Sequence, residues 1–141
     1  MKRIAWSALV LVMLAALMVG CSQGGQTVEE TTAAKAGASY TQIPQDLAKE
    51  MMRADDSLVV VDVRTQDEYA EGHIPGAICV PNESIVDAQP EELPDLEQTI
   101  LVYCRSGRRS KEAAQKLADM GYTNVYEFGG IIGWTGEVVT E

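Results

Sequence analysis

Leu58-Val59-Val60-Val61 is an unbroken apolar run in which three of four residues are β-branched. A strand with one wet face alternates apolar and polar residues. A run without alternation therefore reads as a strand covered on both faces, which is the situation inside a parallel sheet. Parallel neighbours need long crossovers, usually helices, and the chain supplies them. Pro44 suits the first turn of a helix over Pro44–Arg53, with Leu47 and Met51 on one face. Thr65 can cap a short helix through Glu71, with Asp67 and Glu68 in its first turn. Ala77–Val80 reads as a short strand entered from the Ile74-Pro75-Gly76 turn, and Thr99–Tyr103 as a third apolar run. Ala113, Leu117 and Met120 form a helical stripe with Gly121 just past its end. Asn124–Tyr126 reads as a fourth strand, and Gly129-Gly130 opens the last turn. Strands alternating with helices predict an α/β layered fold. In such folds ligands bind outside the carboxyl ends of strands, where Cys104 falls.

The first twenty residues are of a different kind. Lys2-Arg3 is followed by an uncharged, mostly apolar stretch from Ile4 to Val19 and then by Gly20-Cys21. A basic start, an apolar middle and a small residue before the cut describe an export signal over residues 1–20. An uncleaved apolar anchor is the other reading. Met18-Val19-Gly20-Cys21 resembles the bacterial lipobox, which implies lipidation of Cys21 and an extracytoplasmic, membrane-anchored lipoprotein. From Ser22 to Ser39 the chain turns to Gly, Ser, Thr, Gln, Ala and Glu, with Val28 its only large apolar residue. Such a segment cannot bury enough surface to fold, so 21–39 is a linker and 40–141 the single folded domain.

Charge and cysteine usage exclude several function classes. The full chain carries −10, and without residues 1–20 it has nine basic against twenty-one acidic residues, or −12. So acidic a body repels nucleic acid and anionic lipid, and any anion site must be built locally. Cys21, Cys79 and Cys104 lie far apart and make no disulfide framework. With His73 the only histidine and no Cys-x-x-Cys pair, no zinc site is expected. No other cofactor is implied.

Chemistry concentrates in Val102-Tyr103-Cys104-Arg105-Ser106-Gly107-Arg108-Arg109-Ser110. A strand delivers the cysteine to a tight loop that runs into a helix, with Arg109 directly before the helix. A helix N-terminus offers unpaired N–H groups and partial positive charge, which favour a thiolate or a bound anion. Gly107 lets the loop turn and brings backbone N–H groups toward the sulfur. Nearby arginines are expected to lower the thiol pKa further. Four of the nine basic residues after the leader, Arg105, Arg108, Arg109 and Lys111, sit in this seven-residue stretch. Cations there oppose the helix dipole unless an anion or thiolate is present.

These residues bring a family into view. Val61-Asp62-Val63-Arg64, Glu68-Tyr69, Gly72-His73-Ile74-Pro75-Gly76-Ala77-Ile78, the Cys104–Ser110 loop and Gly129-Gly130 with Trp134 resemble a single-domain rhodanese over Tyr40 to Glu141. The resemblance implies a three-layer α/β fold with a mostly parallel central sheet flanked by helices. It also implies a thiosulfate sulfurtransferase-like enzyme, in which Cys104 takes a sulfane sulfur from a small anionic donor such as thiosulfate. The persulfide then passes that sulfur to cyanide or a thiol. Arg105, Ser106, Gly107, Arg108 and Arg109 become the substrate-binding loop, with Arg105 and Arg108 holding the anion and Arg109 bracing the loop. The six-residue loop Cys104–Arg109 has the sulfurtransferase length. Related phosphatases carry an arginine where Ser110 stands, which disfavours phosphate chemistry. A monomer is expected. A non-turnover sulfane-sulfur carrier for a partner protein is the alternative, and the loop supports persulfide formation in both.

Other residues read as structural. His73 orders a turn by hydrogen bonding in preference to acting as a base. Asp62 and Arg64 form an ion pair at a strand end. Trp134 packs in the core or lines the pocket rim. Cys79 is a buried small hydrophobe, with a second working thiol as its alternative.

Overall fold

The valine run lies in the interior of a parallel sheet. The computed structural model describes residues 37–140. In chain order these form β1 (Thr41–Gln42), α1 (Gln45–Ala54), β2 (Val59–Asp62), α2 (Gln66–Glu71) and β3 (Ile78–Cys79). Then follow β4 (Thr99–Cys104), α3 (Arg108–Met120), β5 (Asn124–Gly130) and a 3-10 turn at Ile131–Gly133. The leader, Cys21 and most of the linker lie outside the described residues. No helix among the described residues is long and apolar enough to cross a membrane.

The sheet order is β1-β5-β4-β2-β3, and every pairing is parallel. Its two faces are written in the strands with period two. Val61, Ile100, Val102, Cys104 and Val125 face one way, onto Ala113, Ala114 and Leu117 of α3. Val60, Leu101, Tyr103 and Phe128 face the other way, onto Ala48 of α1 and Tyr69 of α2. The result is the expected three-layer α/β fold.

Local rules explain most element ends. Thr65 caps α2 through a reciprocal box: its hydroxyl accepts from the Glu68 N–H while Glu68 accepts from the Thr65 N–H. At the end of α3, Gly121 takes a left-handed conformation, φ +105°, and its N–H closes on Ala118 and Leu117.

Four expectations shift. Pro44 is the residue before α1 and not inside it. Leu47 is 41% exposed, whereas Ala48 is fully buried and Met51 and Met52 pack against it. The apolar stripe of α1 therefore begins one residue later than the Leu47/Met51 spacing suggested. α3 begins at Arg108, which puts Arg109 in the first turn and not ahead of it. β5 continues past Tyr126 to Gly130, with Phe128 buried. The two-residue β1 and the 3-10 turn were not expected at all. Between β3 and β4 the chain runs without helix or strand, pinned by the fully buried Ile85 and Leu93 and by the Tyr122 hydroxyl donating to the Leu93 carbonyl at 2.5 Å.

Candidate active site

Cys104 is the last residue of β4, the strand held between β5 and β2. From there the chain turns through Arg105 and Ser106 to Gly107, whose φ of +98° is open to glycine and strained for other residues. The turn directs the Gly107 N–H at the Cys104 sulfur, 3.1 Å away. One residue later α3 begins. The sulfur therefore lies at the mouth of a thirteen-residue helix, where unpaired N–H groups converge.

The thiol is 1% exposed, and burial works strongly against its ionised form. Hydrogen bonds from the Ser110 hydroxyl and from the N–H groups of Ser110, Gly107 and Ser106 outweigh that cost. The Cys104 pKa falls below its ordinary value. The arginines were expected to do part of this work, and here the cause differs. The sulfur is stabilised mainly by dipoles close at hand, since Arg105 and Arg108 point outward.

The loop is clamped from the β5 side. The Arg105 carbonyl accepts from the Ile132 N–H at 3.2 Å and lies hard against Gly130. A methyl group on Gly130 would fall 2.2 Å from that carbonyl oxygen, so no side chain fits there. The ladder between β4 and β5 also slips: Val102 pairs with Glu127 but Cys104 with Gly130, leaving an extra residue on β5. Glu127 fills the gap by accepting from the Gly129 N–H at 2.8 Å.

The basic residues divide by environment. Arg105 and Ser106 are exposed. The Arg108 side chain is 80% exposed and only 3.9 Å from Glu112. The Arg109 side chain is 16% exposed and donates two hydrogen bonds to Glu68, at 2.7 and 2.8 Å. That contact holds the Glu68 carboxyl down at about 2. It also raises Arg109, with the Cys104 thiolate adding a smaller contribution. A shallow recess of about 290 Å³ beside the loop is lined by Gln45, Arg105, Ser106, Gly130, Ile132 and Gly133.

The residues read as structural sit away from this centre. Arg64 and Asp62 form a buried pair, and Arg64 also donates to the Gly72 carbonyl at 2.6 Å. His73 donates from Nδ1 to the Tyr69 carbonyl at 2.9 Å and stacks on the Tyr69 ring, while its backbone pairs with Val139. Trp134 packs on Phe128 beneath Lys49. Cys79 is half-buried, its thiol pushed up to about 11 first by burial and then by Asp62. It stands two strands from β4, about 10 Å by strand spacing, too far for a disulfide with Cys104 without backbone movement. Two site residues escaped the sequence reading, Ser110 as a donor and Glu127 beneath it. The signal for Glu127 was present: it is an acid inside the otherwise apolar run Val125–Phe128.

Residues 44–137 match the rhodanese-like domain family. The chain is 38% identical over 71 residues to the thiosulfate sulfurtransferase PspE of Escherichia coli, covering 50% of this chain and 68% of that protein. It is 36% identical over 97 residues to the thiosulfate sulfurtransferase GlpE of Haemophilus influenzae, covering 68% and 89%. Among solved structures, the rhodanese-like domain of an Anabaena protein superposes with a TM-score of 0.64 at 26% identity, over 71% of this chain and 79% of that one.

Proposed function

The chain belongs to the rhodanese-like domain family and is a sulfurtransferase, and we propose that it carries sulfane sulfur on Cys104 from an anionic donor such as thiosulfate to cyanide or a thiol. The observation that carries this reading is the Cys104 sulfur held at the mouth of α3 by the Gly107 N–H.

In the first half-reaction the thiolate attacks the outer sulfur of thiosulfate. The Cys104 S–S bond forms, the donor's S–S bond breaks, and sulfite leaves with the bonding pair. The persulfide anion then occupies the N–H-rich turn. In the second half-reaction cyanide or a thiolate attacks the outer sulfur and restores the Cys104 thiolate, with thiocyanate or a new persulfide as product. No net oxidant is needed. In this reading Arg105 and Arg108, both exposed, meet the sulfonate end of the donor. Arg109 braces the loop through Glu68.

Intact mass after thiosulfate exposure tests the proposal. Cys104 should gain one sulfur atom and lose it to cyanide or a small thiol. No gain, or an equal gain in Cys104→Ser, sinks it. Retention of the sulfur against every small acceptor would favour a carrier that discharges to a partner protein.

For the N-terminal region the proposal is a lipid on Cys21 that holds the domain at a membrane outside the cytoplasm. The support is Lys2-Arg3, the apolar stretch and Met18-Val19-Gly20-Cys21. Labelled palmitate should enter the full chain and be lost in Cys21→Ala. Equal labelling of both removes the lipoprotein reading.

A further inference from the structure

One side chain meets three glycines at the end of β5. Gln45, the first residue of α1, donates from Nε2 to the Gly130 carbonyl at 2.9 Å. A carbon added at Gly129 would lie 3.8 Å from that nitrogen, and one at Gly133 would lie 3.7 Å from it. The carboxamide therefore packs over all three residues. Its own base is fixed. The Ile43 N–H donates to the Glu127 carbonyl at 2.9 Å, and Ala48, about one turn into α1, is fully buried in the core.

The active-site loop rests on the same turn. Gly107 backs onto Gly129, where a carbon added at Gly107 would lie 3.6 Å from the Gly129 Cα. Arg105 and Ser106 press on Gly130, where an added carbon would lie 2.5 Å from the Ser106 Cα. Two residues on, the Ile132 N–H holds the Arg105 carbonyl at 3.2 Å. At these glycines backbone meets backbone, so no side chain is present to absorb a shift of the turn. What the loop delivers is the Gly107 N–H, 3.1 Å from the Cys104 sulfur.

We propose that Gln45 is a positioning residue for sulfur transfer: by holding the Gly130 carbonyl it fixes the turn that seats the loop, and so keeps the Gly107 N–H on the Cys104 sulfur. The proposal deepens the reading of Cys104 as nucleophile and rests on it. Gln45 acts through the backbone and touches neither donor nor acceptor in this role. With its N–H gone, Gly130 and Ile132 are free to shift, and the Arg105 carbonyl moves with Ile132. Hydrogen bonds weaken steeply with misalignment, so a small shift of the turn is felt at the sulfur. An N–H aimed at the sulfur favours the thiolate over the thiol, and a misaligned one favours it less. Glu127 still holds the Gly129 N–H at 2.8 Å, so the turn loosens without being lost.

The test is the rate of alkylation at Cys104 by iodoacetamide against pH, read on the Cys104 peptide of the full chain. Gln45→Met keeps the length of the side chain and removes its donor. The swap is neutral for neutral, so the charges around the loop, Arg105, Arg108, Arg109 and Glu127, stay as they are. The midpoint should rise by about one unit, the size of one weakened hydrogen bond to a charged group. Well below both midpoints alkylation should then be about tenfold slower. All rates are taken well below the melting temperature of each variant. A purely structural Gln45 would lower that temperature and leave the midpoint where it is, so an unchanged or lowered midpoint overturns the proposal.

Ile132→Pro removes the N–H that holds the Arg105 carbonyl, at the second position of a 3-10 turn, whose backbone suits proline. It should raise the midpoint too, and the two substitutions together should shift it by less than their sum. Shifts that add in full overturn the proposal, because Gln45 would then act by another route. Should Gln45→Met fail to fold, Gln45→Ala takes its place with the same readout, and an unchanged midpoint there is equally fatal. Alkylation involves no sulfur transfer, so these outcomes stand apart from the thiosulfate mass experiment.

Discussion

Arg109 reaches from the first turn of α3 to Glu68 in the first turn of α2, with Nη1 2.7 Å from one carboxylate oxygen and Nη2 2.8 Å from the other. The same carboxylate closes the capping box of α2. One acid therefore ties the start of one helix to the loop that feeds the other. Both side chains are mostly covered, which sets this pair apart from ordinary surface ion pairs.

Arg109→Ala should lower kcat and stability together, since it frees the loop and strands Glu68. The expected loss is about 1–2 kcal/mol after allowing for solvent screening, or on the order of 5–10 °C in melting temperature. Glu68 has its pKa depressed from 4.5 to about 2. Its stabilisation is accordingly complete above about 4.5 and lost as pH falls toward 2. Thermal melts from pH 6 to pH 2 should show this acid-limb loss in wild type and a weaker one in Arg109→Ala. Parallel curves would mean that the pair contributes nothing.

Cys104→Ser should abolish thiosulfate:cyanide transfer while leaving the melt close to wild type, because serine fits the same site. Cys79→Ser should keep most activity, given its raised thiol and its place two strands away. Comparable losses in both would revive a two-thiol mechanism.

Arg105→Ala and Arg108→Ala should each raise KM for thiosulfate more than they lower kcat, by removing binding common to the ground and transition states. Added salt should partly reproduce the effect, since both side chains are exposed and screened. Alkylation at Cys104 should change little in either variant, because N–H groups and Ser110 support the sulfur. If KM holds and alkylation slows, the arginines serve the thiolate and a neutral donor is favoured.

Gly130→Ala should cut kcat/KM by about 100-fold, because the added carbon must displace the Arg105 carbonyl and with it the loop geometry. Steady-state kinetics measure it. Gly76→Ala is the control: nothing lies within 4 Å of its added carbon, so only the backbone strain of φ +78° remains. Stability should fall there with kcat intact in the folded fraction. Equal kinetic losses at both positions would remove the steric account.

What the sequence disclosed is what local rules govern. The Thr65 cap, the Gly121 end, the covered valine strand and the strand-cysteine-helix order all follow from neighbours within a few positions. Leu47 misled because Ala48, small and unremarkable, is the residue that meets the sheet. β1 is two residues long and exists only because β5 offers an edge, so it leaves no local pattern. Ser110 and Glu127 meet across seventeen positions through a slipped ladder, a relationship set by tertiary register alone. The arginine cluster was legible as a cluster, but its division into Glu68-bound and outward-facing members was not.

Placement of the nucleophile on β4 has a consequence for how the molecule breathes. Edge segments such as β1 and β3 can detach in sub-global openings while β4 keeps hydrogen-bonded neighbours on both sides. Amide hydrogen exchange should accordingly find Tyr103 among the most protected positions and Thr41 among the least. The floor beneath the sulfur then gives way only when the whole domain does. Transient fraying leaves the thiol as covered as it is in the native fold.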